Sequence, residues 1–244
     1  MKRILKTIWG IYGLIIFVTT LMLVIIAFFI VFTFVPKKQA PFVAHRFISR
    51  TWAASLFVLF GIRLKVVNRE LLKKEQTYVF VANHLSQLDI PAYAVAAKHT
   101  LKFLAKEELT KIPLMGYIIR NLYISVNRKD KFARAKSMEN MISAIRDGIS
   151  VFICPEGTRN KTNQPLLEFR DGAFRLAIQA QVPIATLTLV NSGKLLSPLH
   201  PLELSPGTLT CIWSEPISTI GMTEEDIPAL KQKVISEMLR NLKG

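Results

Sequence analysis

The chain is short of cysteine and of acid. Two cysteines, Cys154 and Cys211, occur in 244 residues, with no CxxC pair and no Cys/His spacing. Neither a disulfide framework nor a zinc site is expected, and a reducing compartment fits. Asp and Glu number 17 against 32 Lys and Arg, a formal charge of +15. That balance attracts anions: nucleic acid, anionic lipid head groups or phosphorylated small molecules. A basic amphipathic recognition helix and a pattern of stacking aromatics are both missing, which argues against nucleic acid. The absence of a G-x-S-x-G elbow argues against a serine hydrolase built on Ser86. Internal repeats and low-complexity linkers are missing too, so 244 residues suit one domain plus an accessory segment.

Charge is also absent from residues 8–35, between Lys2, Arg3 and Lys6 on one side and Lys37 and Lys38 on the other. This run exceeds the ~20 apolar residues that span a ~30 Å hydrocarbon core. It is longer than the ~7–15-residue core of a cleaved signal and ends in no small-residue cleavage site. A retained membrane helix is predicted. Pro36 stops it, "KKQAPF" makes a polar turn, and a second helical pattern runs over 43–62. His45, Arg46, Arg50 and Trp52 precede its apolar half, as in an interfacial helix with charges at head-group level. Two arrangements stay open: a spanning helix followed by a surface helix, or a re-entrant hairpin with both ends on one side. Bases on both flanks leave the positive-inside rule silent.

Beyond Gly61 the pattern changes. Short β-branched or aromatic runs at 63–67, 77–82, 101–105, 122–126, 151–155, 183–190 and 209–213 predict strands. Helical stretches follow at 90–100, 131–148, 170–181 and 224–242. The alternation predicts an α/β domain over 63–244, a mostly parallel central sheet flanked by helices, behind an N-terminal membrane-associated two-helix segment over 1–62.

"VANHLSQLDIP", residues 81–91, places His84 and Asp89 five positions apart. Within a regular helix they would point about 140° apart and could not meet. Asn83 and Ser86 favour a loop, and Pro91 suits the first turn of a following helix. With the chain turned, a carboxylate accepting from imidazole Nδ1–H fixes the tautomer and leaves Nε2 as a base. This is the orienting half of a catalytic triad without its serine, so the substrate would bring the nucleophile. A plainer alternative remains, in which Asp89 caps a helix and His84 fills a loop.

Three further stretches each place an arginine beyond a strand or before a helix. In "VFICPEGTRN" (151–160), Gly157 permits close backbone approach and Arg159 can grip a phosphate bidentately. Glu156 would hold that arginine or bind a hydroxyl. "GYIIRNLYISVNR" (116–128) ends in Arg128. "EFRDGAF" (168–174) carries Arg170 and Gly172 at a helix start, an anion position. Together they suggest a phosphate cradle; singly each suits a surface charge.

These residues in this order resemble the glycerolipid acyltransferase family over about residues 60–215. The first block is Asn83-His84-Leu85-Ser86-Gln87-Leu88-Asp89, with Ser86 one place early and the His-x-x-x-x-Asp spacing intact. The second runs from Gly116 to Arg128, and the third is Phe152, Pro155, Glu156, Gly157, Thr158 and Arg159. The fourth is Val182, Pro183 and Ile184, and Lys106 lies in the joining segment. The resemblance implies a membrane-anchored enzyme with His84 and Asp89 catalytic and with no metal or bound cofactor. Acyl-CoA or acyl-carrier protein would be the donor and the sn-2 hydroxyl of lysophosphatidic acid the acceptor. Arg128, Glu156, Gly157, Thr158 and Arg159 would bind the phosphate, with Asn83, Ser86, Lys106 and Arg170 as weaker candidates. Backbone amides near Gly157 would serve the oxyanion. The family also has members acting at sn-1 of glycerol 3-phosphate or on other lysophospholipids. The implied location is a bacterial-type inner membrane, with the active domain on the cytoplasmic face against an anionic lipid surface.

Overall fold

The structure, a computed structural model, describes residues 2–127 and 129–243. Helix α1 (Lys2–Phe34) is 33 residues of mostly aliphatic and aromatic side chains. Proline is missing until Pro36, where the ring denies the helix its next hydrogen bond. One stripe of α1 packs inward. Trp9 Nε1 donates to the Phe60 carbonyl (3.1 Å) and Trp52 Nε1 to Thr20 Oγ1 (2.9 Å). Leu21 and Phe28 are buried with Ala44, Ile118 and Leu122. The other side exposes Ile4, Ile8, Ile15, Leu23 and Ile26. Both ends of α1 touch the rest of the molecule. Arg3 Nε lies 2.7 Å from Glu203 Oε1, and Phe29 and Phe32 abut Tyr117.

The second helical run starts in the expected turn, because Pro41 takes a first-turn position. It comprises α2 (Ala40–Val43), a π turn (Ala44–Ser49) and α3 (Arg50–Leu59). One expectation is corrected here. His45 does not face outward but is 1% exposed, on a π turn packed between α1, α3 and α4 (Asp89–Ala96). Arg46, beside it, does face outward. The wider π turn shifts the helix register, which alters the face that each residue takes.

All seven expected strands form: β1 (Ile62–Val67), β2 (Val79–Ala82), β3 (Leu101–Lys106), β4 (Ile124–Val126), β5 (Ser150–Ile153), β6 (Ile184–Val190) and β7 (Gly207–Trp213). Their order in the sheet is β1-β7-β6-β2-β5-β3-β4. β6, β2, β5, β3 and β4 run parallel; β7 is antiparallel to β6 and carries β1 with it. β2 and β5 are buried at every residue, as strands covered on both faces should be. Helix α5 (Met115–Leu122), between β3 and β4, was not expected from the sequence.

Two cores flank the sheet. Tyr78, Phe80, Tyr93, Phe103, Phe152 and Trp213 pack on the α3/α4 side. Val79, Val81, Val151 and Phe174 pack on the side of α6 (Lys131–Arg146), α7 (Gly172–Ala180) and α9 (Ile227–Lys243). A short helix, α8 (Ser192–Leu195), follows β6. The adjacent strands β2 and β5 therefore send their connections to opposite faces, β2 to α4 and β5 to α7. Such a divergence opens a crevice at the carboxyl ends of the strands, the position where open α/β sheets bind ligands.

Candidate active site

The loop leaving β2 is built by its side chains. The β2–β6 ladder ends at Ala82↔Leu187. One residue on, the Asn83 amide pairs with the Leu189 backbone, Nδ2 donating to its carbonyl (3.0 Å) and Oδ1 accepting from its N–H (2.8 Å). The side chain thus stands in for a peptide and frees the main chain to turn. Tyr93, fully buried on α4, donates its hydroxyl to the Asn83 carbonyl. Burial pushes that phenol's pKa well up, with Cys154 and Asp89 adding to the effect, so it stays a donor. Ser86 is also fully buried, its Oγ donating to the Leu196 carbonyl (2.8 Å) and accepting from Leu88 N–H (3.2 Å). Asn83 and Ser86 accordingly shape the loop.

Within this turn Asp89 opens α4 and is completely buried. Its Oδ2 accepts from Leu85 N–H (2.6 Å) and Ser86 N–H (2.7 Å), and His84 Nδ1 lies 2.8 Å away. An ionised carboxylate only accepts, so Nδ1 carries the proton and Nε2 presents a lone pair. Nε2 has no partner among the described residues, and the His84 side chain keeps 18% of its surface exposed. The sharp turn that the spacing demanded is therefore present, and an oriented base faces outward from it.

The loop after β5 grips His84 from the other side. Glu156, 3% exposed, accepts His84 N–H on Oε1 (2.7 Å) and Leu167 N–H on Oε2 (2.9 Å). Asn160 N–H donates to the His84 carbonyl (2.7 Å). Glu156 was expected among the phosphate ligands; both its oxygens are instead committed to backbone, and a carboxylate would repel a phosphate. Burial raises its pKa, opposed by the hydrogen bonds from Leu167 and His84. Of the backbone amides near Gly157 expected to serve the oxyanion, that of Gly157 itself donates to the Cys154 carbonyl (3.0 Å). Gly157 has φ +72°, a conformation that favours glycine.

Arg159 is half-buried in this loop, with no ion-pair partner among the described residues, whereas Thr158 is exposed. Lys106 ends β3 and pairs with Glu108 at 3.0 Å. Arg128 lies outside the described residues. Arg170 lines an open cavity of ≈ 590 Å³ with Glu156, Glu168, Asp171 and Lys231. His84 is not part of that cavity's wall, and its three acids outnumber its two bases, a poor setting for a phosphate, so the dyad rather than the cavity marks the chemistry. Sequence reasoning missed Tyr93 and Asn160. Both act through backbone contacts on His84 or its neighbour, for which a linear motif carries no signal.

Fold and site together define a class: an α/β domain with an oriented His–Asp pair at the carboxyl ends of its strands, the hydroxyl of Ser86 on the same loop being engaged with backbone. The Acyltransferase family model matches residues 63–190, more than half of the chain, and the chain belongs to that family. Among similar proteins, 1-acyl-sn-glycerol-3-phosphate acyltransferase alpha of Mus musculus is 33% identical over 74% of this chain and 64% of its own length. The 1-acyl-sn-glycerol-3-phosphate acyltransferase of Saccharomyces cerevisiae is 29% identical over 76% of this chain and 62% of its own. The chain thus spans a little under two thirds of the length of these curated relatives. A crystal structure of the 1-acyl-sn-glycerophosphate (LPA) acyltransferase PlsC from Thermotoga maritima superposes with a TM-score of 0.82 at 23% identity, covering 100% of this chain and 97% of that one. That likeness establishes the fold, N-terminal helices included.

Proposed function

We propose that the chain transfers a fatty acyl group from a thioester donor, acyl-CoA or acyl-carrier protein, to the sn-2 hydroxyl of lysophosphatidic acid, giving phosphatidic acid. The observation that carries this reading is the 2.8 Å contact between His84 Nδ1 and Asp89 Oδ2, with Nε2 left open at the β2–β5 crevice. Nε2 takes the proton from the hydroxyl as its oxygen attacks the thioester carbonyl. The tetrahedral intermediate collapses, the C–S bond breaks, and the imidazolium returns its proton to the leaving thiolate. Asp89 stabilises the imidazolium meanwhile. Such general-base catalysis contributes ~10²–10⁴-fold, and positioning of the acceptor adds to it. Arg159 is the described residue best suited to hold the phosphate monoester, with Arg128 and Lys106 as further cations.

Geometry also favours one membrane arrangement. The domain is touched by both ends of α1, through Glu203 at one end and Tyr117 at the other. A helix crossing the bilayer could not keep both ends against a domain on one side. α1 and α3 therefore lie as a hairpin in one leaflet, where the acceptor partitions. The donors are cytosolic, so the domain faces the cytoplasm, as on a bacterial-type inner membrane.

The test offers purified protein a set of labelled acceptors (lysophosphatidic acid, glycerol 3-phosphate, lysophosphatidylcholine) with each donor. Phosphatidic acid should form from lysophosphatidic acid, and His84→Ala should abolish it while vesicle attachment persists. Preference for another acceptor, or full activity in the variant, would overturn the reading.

A further inference from the structure

We propose that the segment 107–114 and the first turn of α6 form a second lipid-contact surface, which enters the head-group region of an anionic bilayer beside α1. This rests on the acyltransferase reading in one respect only, that acyl transfer serves as the assay.

β3 and β4 pair in parallel from Leu104↔Ile124 to Lys106↔Val126. The segments that follow them therefore leave the sheet side by side, at the same edge as the His84 loop. After β3 comes a 3-10 turn (Glu107–Lys111). Leu109, Ile112 and Leu114 here are 40%, 46% and 41% exposed. After β4, Phe132 is 85% exposed in the first turn of α6, where Asp130 caps the helix by accepting from Phe132 N–H (2.8 Å) and Ala133 N–H (3.2 Å). Single exposed apolar residues are ordinary. Four on one edge, among cations, are not.

The charges have the sign an anionic surface requires. Glu108 is paired with Lys106, and Asp130 is engaged as the cap. Lys111, Lys129 and Lys131 are exposed and have no ion-pair partner among the described residues. The segments are neighbours electrostatically. The Glu108 carboxyl is lowered by a backbone hydrogen bond, by Lys106 and by the charge of Lys129. Apolar tips with lysines around them are the composition of an interfacial anchor.

The 107–114 segment is held in shape. Its 3-10 turn packs on α5 and β4, and the Arg120 guanidinium donates to the Thr110 carbonyl. Leu114 has φ +62°, which a side chain with a Cβ adopts only when its surroundings impose it. The fold thus holds a leucine outward in a strained conformation. The patch is also continuous with the apolar face of α1. α5 carries Tyr117 against Phe29 and Phe32, and Phe29, Ile30 and Phe34 of α1 are exposed. A bilayer receiving that face of α1 meets this rim next. Two contacts flanking the sheet edge fix its tilt, so that His84 faces the membrane surface.

The experiment uses the full chain reconstituted with vesicles containing phosphatidylglycerol. Two variants are compared with the parent: L109S/I112S/L114S/F132A and K129E/K131E. Activity is measured on a long-chain acceptor in the bilayer and on a short-chain acceptor dispersed in water. The apolar variant should lose at least fivefold on the bilayer acceptor and keep the parental rate on the dispersed one. The charge variant should lose the parent's rise in bilayer activity with phosphatidylglycerol fraction. An unchanged bilayer rate overturns the proposal, as does an equal loss on both acceptors. A loss seen only with acyl-carrier protein as donor, and not with acyl-CoA, overturns it in favour of a carrier-docking surface. No parental activity on either acceptor would instead strike the acyltransferase reading.

Discussion

Asp89 Oδ2 collects two backbone N–H groups as well as the His84 ring nitrogen. Asp89→Asn removes the charge that stabilises the imidazolium and permits the wrong tautomer. We expect kcat to fall by about 10³-fold or more, with a much smaller change in acceptor KM; steady-state kinetics on lysophosphatidic acid check this. Glu156 makes a different prediction. Burial lifts its folded pKa above the ordinary 4.5. The folded chain then binds that proton more tightly than the unfolded one. The group's contribution to stability is fullest below 4.5 and is lost as pH rises through the folded value. Glu156→Gln should remove this share of the pH dependence, so the parent-minus-variant difference in Tm should fall as pH rises through that window. The same variant turns one of its amide hydrogens toward a backbone N–H, of His84 or of Leu167, so kcat should fall about tenfold or more. The dyad was legible at this scale because five-residue spacing, loop formers and Pro91 all demanded a turn. The role of Glu156 was not, because the partners of a carboxylate two strands of sequence away are set by the sheet.

Among the elements, strands were the most legible. β2, β5 and β6 are short β-branched or aromatic runs buried on both faces, a composition that few other elements use. Direction was less so: β7 looks like any other strand, and only its pairing with β6 makes it antiparallel. α5 was missed because its eight residues adjoin an apolar strand, and periodicity cannot divide so short a run. α1 yields a test of packing. A Cβ at Gly10 would stand 1.8 Å from the Leu202 carbonyl oxygen. Gly10→Ala should therefore force α1 off that loop and cost about 1–3 kcal/mol, read from denaturant unfolding in detergent micelles.

For the whole molecule, the apolar helix α1 is also a structural element. Phe28 and Leu21 of α1 fill a buried cluster with Ile118 and Leu122 of α5. Deleting residues 1–40 should move most of the protein from sedimenting vesicles to the supernatant, and should also lower Tm by uncovering that cluster. Unchanged partitioning in flotation assays would show that α3 and the sheet-edge rim carry attachment by themselves.

By itself the sequence determined the alternation of strand and helix, the uncharged run and the His-x-x-x-x-Asp turn. Each is local, written in hydrophobic period, charge and turn chemistry within a few residues. Tertiary structure alone decided that both ends of α1 return to one domain, that His45 turns inward and that Glu156 accepts from the His84 and Leu167 backbone. It also decided that Tyr93 and Asn160 brace the histidine loop. Those outcomes depend on which groups the sheet order brings within hydrogen-bonding distance, and no short window of sequence contains both partners.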